Sequence, residues 1–403
     1  MRKVVVTGIG VICAAGNTRD EFAQALREGR TGIRRIAGPE ISDLRFSSGA
    51  QVCGYDPCNH FEPKEADMID RFAQFAVVAA REAVTQSGIE WTPELRDTSA
   101  IITGSCVGGQ STENQGFWDV YRLNKPRVHP MTIPKTMANG GASAISLEFG
   151  ITGPSYTIST ACSSSAHAIG QAFWMVRSGL CDVAITGGSE APFSYGLLKA
   201  WEAMRVISPT TCRPFSRDRN GMILGEGAAM LVIESAEHAD ARGARSLAEI
   251  VGFGMSSDAH HITQPSSEGG AKAVRMALRD AALRPDQIGY VSAHGTGTSV
   301  NDVTETRALH LAFGDHASKL AISSTKALHG HTLGAAGAIE IAATALSLRN
   351  GILPATINFN EPDADCDLDY IPNQAREAHV EYAISNSFAF GGLNAVVALR
   401  NTR

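Results

Sequence analysis

The 403-residue chain is 44% hydrophobic, apolar enough to bury a large core, and its length suggests about two or three domains. A formal net charge of −6, with no block of Lys or Arg, excludes a general nucleic-acid-binding surface. The weakly polar run from Ala335 to Leu348 is interrupted by Glu340 and is too short to span a bilayer, so no membrane insertion is expected.

The N-terminal MRKVVVTGIG has a short apolar run that soon meets glycines, the pattern of a buried first strand with no cleavable signal after it. A helix is predicted over Arg71–Ser87, a strand over SAIITG at 99–104 and another over DVAITGG at 182–188. Such alternation predicts an α/β fold with largely parallel sheets buried on both faces. The small-residue helix from Cys162 to RSG at 177–179 is echoed by one from about Gly334 to RNG at 349–351. Likewise GEGAAMLVIE at 225–234 is echoed by GGLNAVVALR at 391–400. Two similarly built halves are expected, residues 1–245 and 246–403.

The eight cysteines are scattered, with no CxxC pair and no metal-ligand spacing. Cys53 and Cys58 could pair, but reduced thiols in a soluble, cytoplasmic protein are the expected state. One cysteine stands out. Cys162, in SYTISTACSSSAHAIGQAFWMVRSG, falls where a strand-like run gives way to a helical pattern with apolar residues at Ala166, Ile169, Phe173 and Val176. Unpaired N–H groups at a helix N-terminus would favour its thiolate, lowering a pKa near 8.5 by about one unit, and could hold a developing oxyanion. A lone cysteine at such a junction is more often a small packed residue, so its partners decide the matter.

Two histidines supply them. His294, in YVSAHGTGTSVND, follows a strand and enters a Gly/Thr loop, and His331, in SSTKALHGHTLGAAGAIE, lies five residues after Lys326. Strand ends of α/β folds are where sites gather. His329 and His167 read as structural, and the polar loop SSDAHHITQP, with His260 and His261, is a candidate lining for an entrance. Zinc is not expected, since its ligands are usually closely spaced and a catalytic site would add a carboxylate or third histidine.

Together these segments resemble the β-ketoacyl-[acyl carrier protein] synthases of the thiolase superfamily, over essentially the whole chain. The pieces that carry the resemblance are TACSSSAHAIG, RPFSRDRNGMILGEGAAML, AHGTGTSVND, STKALHGHTLGAAGAIE and NSFAFGGLNA, in the family's order. The resemblance implies a thiolase fold, in which a duplicated α/β unit forms a five-layer αβαβα sandwich. It implies Cys162 as nucleophile, His294 and His331 as catalytic histidines, Lys326 as a structural lysine, Glu305 as its acidic partner and Glu340 as a second glutamate. Thr296 and Thr298 fall where phosphopantetheine is bound, and His261 and Thr263 fall in the loop beside it. Phe388 and Phe390 fall in the gating loop, the N–H groups of Cys162 and Phe390 forming an oxyanion hole. Val107 matches a position that limits acyl-chain entry. The implied reaction is decarboxylative condensation of an acyl-cysteine with a malonyl thioester. No cofactor of its own is implied, because an acyl carrier protein brings the phosphopantetheine. Lys64, Arg127, Arg213 and Arg217 are the docking candidates for that carrier, and the implied assembly is a homodimer or a heterodimer with a chain-length-factor subunit.

Some features depart from the family pattern. Ala389 stands where glycine is usual between the phenylalanines, Leu393 replaces threonine in GGTN, and Asp67 and Met68 interrupt the basic docking segment. KAWEAMRVISPTTCRPFSRDR resembles the specialised branch that includes nodulation-type and reducing polyene synthases. A degradative thiolase would need a second cysteine near the C-terminus, absent from NSFAFGGLNA, and a chain-length factor normally lacks the nucleophile.

Overall fold

The structure is a computed structural model and describes residues 1–38 and 41–403. Five strands of the large sheet lie in the first half: β1 (Val4–Cys13), β2 (Ala100–Gly104), β3 (Ser155–Ile158), β4 (Val183–Glu190) and β5 (Gly227–Ser235). Five more of its strands lie in the second: β6 (Ala248–Ser257), β7 (Ile288–Ser292), β8 (Ala321–Ser323), β9 (Tyr382–Ala389) and β10 (Leu393–Arg400). Their spatial orders are β3-β2-β4-β5-β1 and β8-β7-β9-β10-β6, the same order advanced by one half. The sheets meet at a short antiparallel seam, Val4–Val6 against Ala248–Ile250. The weak internal echo in the sequence is therefore a repeat of topology.

The sheets are mixed, not largely parallel. In each half two pairs are parallel, β2 with β3 and β4, and β7 with β8 and β9. The remaining pairs are antiparallel. The reason is visible between β9 and β10, which are joined by the short turn Phe390–Gly392. Parallel neighbours need a long crossover, and a connection this short can only fold the strand back on itself.

Helices α1 (Arg71–Ser87), α2 (Ser164–Ser178), α3 (Ser267–Asp280), α4 (Ser299–Phe313) and α5 (Ala336–Asn350) complete the layers. Helix α1 is capped by Asp70, whose carboxylate accepts the Phe72 N–H at 3.2 Å, and ends at Gly88 in the left-handed region. It covers the outer face of the first sheet, while α3 and α4 cover that of the second. Helices α2 and α5 fill the middle layer, and α5 is buried from Ala336 through Leu348. Small residues allow this crowding: a Cβ added to Gly337 would lie 2.9 Å from the Cβ of Ala166 on α2. The fold is the thiolase-type αβαβα sandwich.

Candidate active site

The chain leaves β3 and turns sharply before α2. Ala161 takes a positive φ of 52°, which costs an L-residue roughly 1–2 kcal/mol. The turn sets Cys162 on the wall of a cavity of about 390 Å³, opposite His294, His331, Phe388 and Phe390. Cys162 precedes the N-cap Ser163, one residue outside the helix proper. Burial pushes its thiol up to about 11; the Lys326 charge and the N–H groups of Phe390 and Cys162 itself pull the other way. The lowered thiol pKa expected from the helix terminus is thus overturned, because desolvation outweighs a dipole effect confined to the first turn.

One ligating atom from each of Cys162, His294 and His331 lies within 4.8 Å of the others. The two rings stand nearly perpendicular, with centroids 5.3 Å apart. His331 Nδ1 accepts the Leu333 N–H at 3.1 Å, and His294 Nδ1 lies 3.2 Å from Lys326 Nζ, which can only donate. Each ring therefore carries its hydrogen on Nε2. Burial first, and the Lys326 charge second, hold both imidazoles well below the usual histidine pKa. Two neutral N–H donors thus share a site with a thiol. A metal bridging these atoms would face the Lys326 ammonium on His294, an unfavourable neighbour for a cation.

Lys326 is fully buried and uses all three of its protons: on Glu340 Oε1, on the His294 carbonyl at 2.6 Å and on His294 Nδ1. Its ion-pair partner is Glu340, not Glu305 as expected. Glu305, from α4, accepts the backbone N–H groups of His294 at 2.8 Å and Gly295 at 2.7 Å, and the Asn386 amide at 3.1 Å. Three neutral donors occupy Glu305, whereas Glu340 enters from α5 and meets the ammonium directly. Lys326→Met would leave Glu340 buried without its cation, at an expected cost of about 3–5 kcal/mol in a denaturant titration. It would also let both imidazole pKa values rise toward their ordinary range. Burial, the larger cause, remains, so reactions needing neutral rings should then fade on acidification at a higher pH than in the wild type, yet still below the ordinary histidine range.

Thr296 and Thr298 line the cavity with hydroxyls 2.8 Å apart, and Thr298 also caps α4. His261 and Thr263 line it too, His261 Nδ1 accepting the Thr263 and Gln264 N–H groups. Phe390 stacks on Trp201, centroids 6.2 Å apart, and the Trp201 Nε1–H is buried without an acceptor among the described residues. Ala389 causes no strain at the gate: its φ of −118° is extended, and Gly391 and Gly392 take the left-handed positions. His329 and His167 are buried structural residues, bonded to Thr325 and to Thr160 and Ser163 respectively.

Val107 is not among the cavity-lining residues, contrary to expectation. Its N–H donates to Glu190 at 3.3 Å, so its loop is turned toward that carboxylate. Of the docking candidates, Lys64 and Arg127 are exposed. Arg217 is paired with Glu361, and Arg213 is half-buried against Asp218 at 3.4 Å and Thr210 at 3.2 Å. These neighbours tie up the last two. Sequence reading missed Arg205, an exposed cation on the cavity rim with no acidic partner among the described residues, and it missed Trp201. Both stand in KAWEAMR, the start of the segment that carries the branch resemblance, where the pattern signals an amphipathic helix end but not a cavity rim.

A thiol facing two neutral imidazoles and two backbone N–H groups, between duplicated α/β halves, defines a thiolase-fold acyl-transfer enzyme. Known proteins fix the family. The model of the β-ketoacyl synthase N-terminal domain matches residues 1–239, and that of the C-terminal domain matches residues 247–360. The chain belongs to the β-ketoacyl synthase family. It is 45% identical over 401 residues to nodulation protein E of Rhizobium sp. (strain N33), covering 99% of each chain. To 3-oxoacyl-[acyl-carrier-protein] synthase 2 of Synechocystis sp. it is 39% identical over 407 residues, covering 99% of this chain and 98% of that one. The solved structure of the ishigamide ketosynthase/chain length factor matches with a TM-score of 0.95 at 36% identity, over 100% of both chains.

Proposed function

We propose that the protein catalyses decarboxylative condensation of a Cys162-bound acyl group with a malonyl thioester, both delivered by an acyl carrier protein. The observation that carries this reading is the convergence of the Cys162 thiol with two Nε2–H donors whose Nδ1 atoms are occupied. The thiol sulfur attacks an acyl thioester, and its proton leaves with the departing carrier thiol. Loss of CO2 from the malonyl unit then leaves an electron pair as an enolate, whose oxygen accepts hydrogen bonds from His294 and His331. The enolate carbon attacks the acyl carbonyl, whose oxygen is held by the N–H groups of Cys162 and Phe390. The C–S bond breaks, the Cys162 thiolate leaves and takes up a proton from solvent, and the product is a 3-ketoacyl thioester two carbons longer. Glu305 fixes the His294 backbone, and Lys326 fixes its ring and keeps it neutral.

No cofactor of the protein's own is needed in this scheme. The carrier's phosphopantetheine would run past Thr296, Thr298, His261 and Thr263 to the thiol. Lys64, Arg127 and Arg205, exposed and without an acidic partner among the described residues, are the cations proposed to meet an acidic carrier. Arg205→Glu is expected to raise KM for a carrier-bound thioester severalfold and to leave KM for a short synthetic thioester unchanged; equal effects on both would remove Arg205 from docking. Phe117, Tyr121, Leu123, Ile133 and Leu147 expose apolar side chains, and Leu147 stands on the helix Gly140–Phe149 that packs against β3, the edge strand of the first sheet. That face suits a second ketosynthase-type subunit, identical or of the chain-length-factor kind. Among the described residues no helix is long and apolar enough to cross a membrane, and all eight cysteines are free. Both fit the proposed place in the cytoplasm.

The deciding experiment loads the purified protein with an acyl-carrier thioester and then adds a malonyl-carrier thioester. Mass spectrometry should show an acyl adduct on the protein, then its loss with formation of a 3-ketoacyl product. An adduct that persists after malonyl addition refutes the condensation.

A further inference from the structure

Glu190 closes β4 as a fully buried carboxylate, and no cation pairs with it among the described residues. Four donors converge on it instead. Its Oε1 accepts the Ser105 hydroxyl at 3.0 Å and the Val107 N–H at 3.3 Å. Its Oε2 accepts the Cys106 N–H at 2.6 Å and the Gly334 N–H at 3.0 Å. Three of these donors follow β2 in the first half, whereas Gly334 lies in the second half, just beyond His331. The approach leaves no slack: a Cβ on Gly334 would sit 2.5 Å from Glu190 Oε2 and 2.4 Å from the Cys106 nitrogen. Leu333, between His331 and Gly334, is held at a φ of +47°, unfavourable for leucine, and its N–H is the one that reaches His331 Nδ1.

We infer that Glu190 is a positioning residue for His331. It anchors Gly334, the anchored turn holds Leu333 in its left-handed conformation, and the Leu333 N–H then fixes the ring with its hydrogen on Nε2 toward Cys162. The same carboxylate grips the loop after β2, so His331 is registered against the half that carries the nucleophile. This inference rests on the proposed role of His331 as a hydrogen-bond donor to the enolate.

Glu190→Gln keeps the size but replaces one acceptor oxygen with an NH2 facing donors, so at least one backbone N–H loses its partner. The expected result is a split. Acylation of Cys162, followed by intact mass, stays within about twofold of wild type, while kcat for malonyl decarboxylation falls about tenfold to hundredfold with KM unchanged. Glu190→Asp, which keeps the charge but shortens the reach, should show the same split at smaller size. In the His331→Ala background, Glu190→Gln should bring no further loss of decarboxylation, because the two changes disable one device. Equal loss of acylation and decarboxylation in either Glu190 variant, or additive losses in the double variant, would make Glu190 a mere strut and overturn the inference. Should Glu190→Gln fail to fold, Glu190→Asp decides the same question by the same split. If His331→Ala alone decarboxylates normally, it is the underlying reading of His331 that fails, an outcome distinct from all of these.

Discussion

Cys162→Ala is expected to take up no acyl group at all, whereas the wild-type chain gains the mass of one. The reason is geometric rather than a matter of thiol acidity. Buried Cys13, Cys181, Cys212 and Cys366 have thiols pushed up to about 12, 11, 12 and 12, and Cys106 is raised further by burial and the nearby Glu190 carboxylate. Cys162 is raised as well, yet it alone among them lines the cavity and faces two N–H groups that can hold a thioester oxygen as it becomes an oxyanion. Peptide mapping after incubation with an acyl thioester checks this. An adduct that survives the substitution, or maps to Cys106, removes Cys162 from its role.

His294→Ala and His331→Ala should each cost about two to three orders of magnitude in malonyl decarboxylation, equivalent to roughly 3–4 kcal/mol, with Cys162 acylation much less affected. Both rings are neutral with Nε2–H free, so each is built to donate to charge that develops on the malonyl thioester oxygen. Neither is placed to be an acid, since burial and the Lys326 ammonium suppress the imidazolium. Acylation draws instead on the backbone N–H groups, which neither substitution touches. CO2 release measured on acyl-loaded and free protein separates the steps. Near-wild-type decarboxylation in both variants would refute the enolate assignment.

Much of this is legible in the chain. The helix over Arg71–Ser87 can be read from its alanine-rich periodicity, and the junction at Cys162 from a β-branched run giving way to a helical one. The motifs around His294 and His331 carry the resemblance that the family models bear out. What cannot be read are choices made in three dimensions. Whether Glu305 or Glu340 meets Lys326 depends on which helix face points at the ammonium, and both glutamates stand in equally plausible motifs. Thiol acidity is misread because a sequence shows a helix end but not how deeply it is buried. Glu190 leaves a faint signal, a charged residue closing a strand of otherwise small and apolar residues, and its partners lie in segments distant along the chain. Val107 illustrates the converse: a motif position matched in sequence need not line the cavity, and here its backbone N–H is held by the Glu190 carboxylate.

The depth at which Cys162 lies also bears on oxidative damage. Peroxides and alkylating agents attack thiolates, and burial, which pushes the Cys162 thiol up to about 11, disfavours its thiolate at neutral pH. Cys53 and Cys58, by contrast, are exposed and meet such agents directly. Under mild oxidation the surface thiols should therefore be consumed first, while the resting nucleophile keeps its sulfur reduced. Reactivity at Cys162 is reserved for electrophiles that bring their own carbonyl into the two N–H groups, so the burial that slows ionisation also acts as a chemical filter.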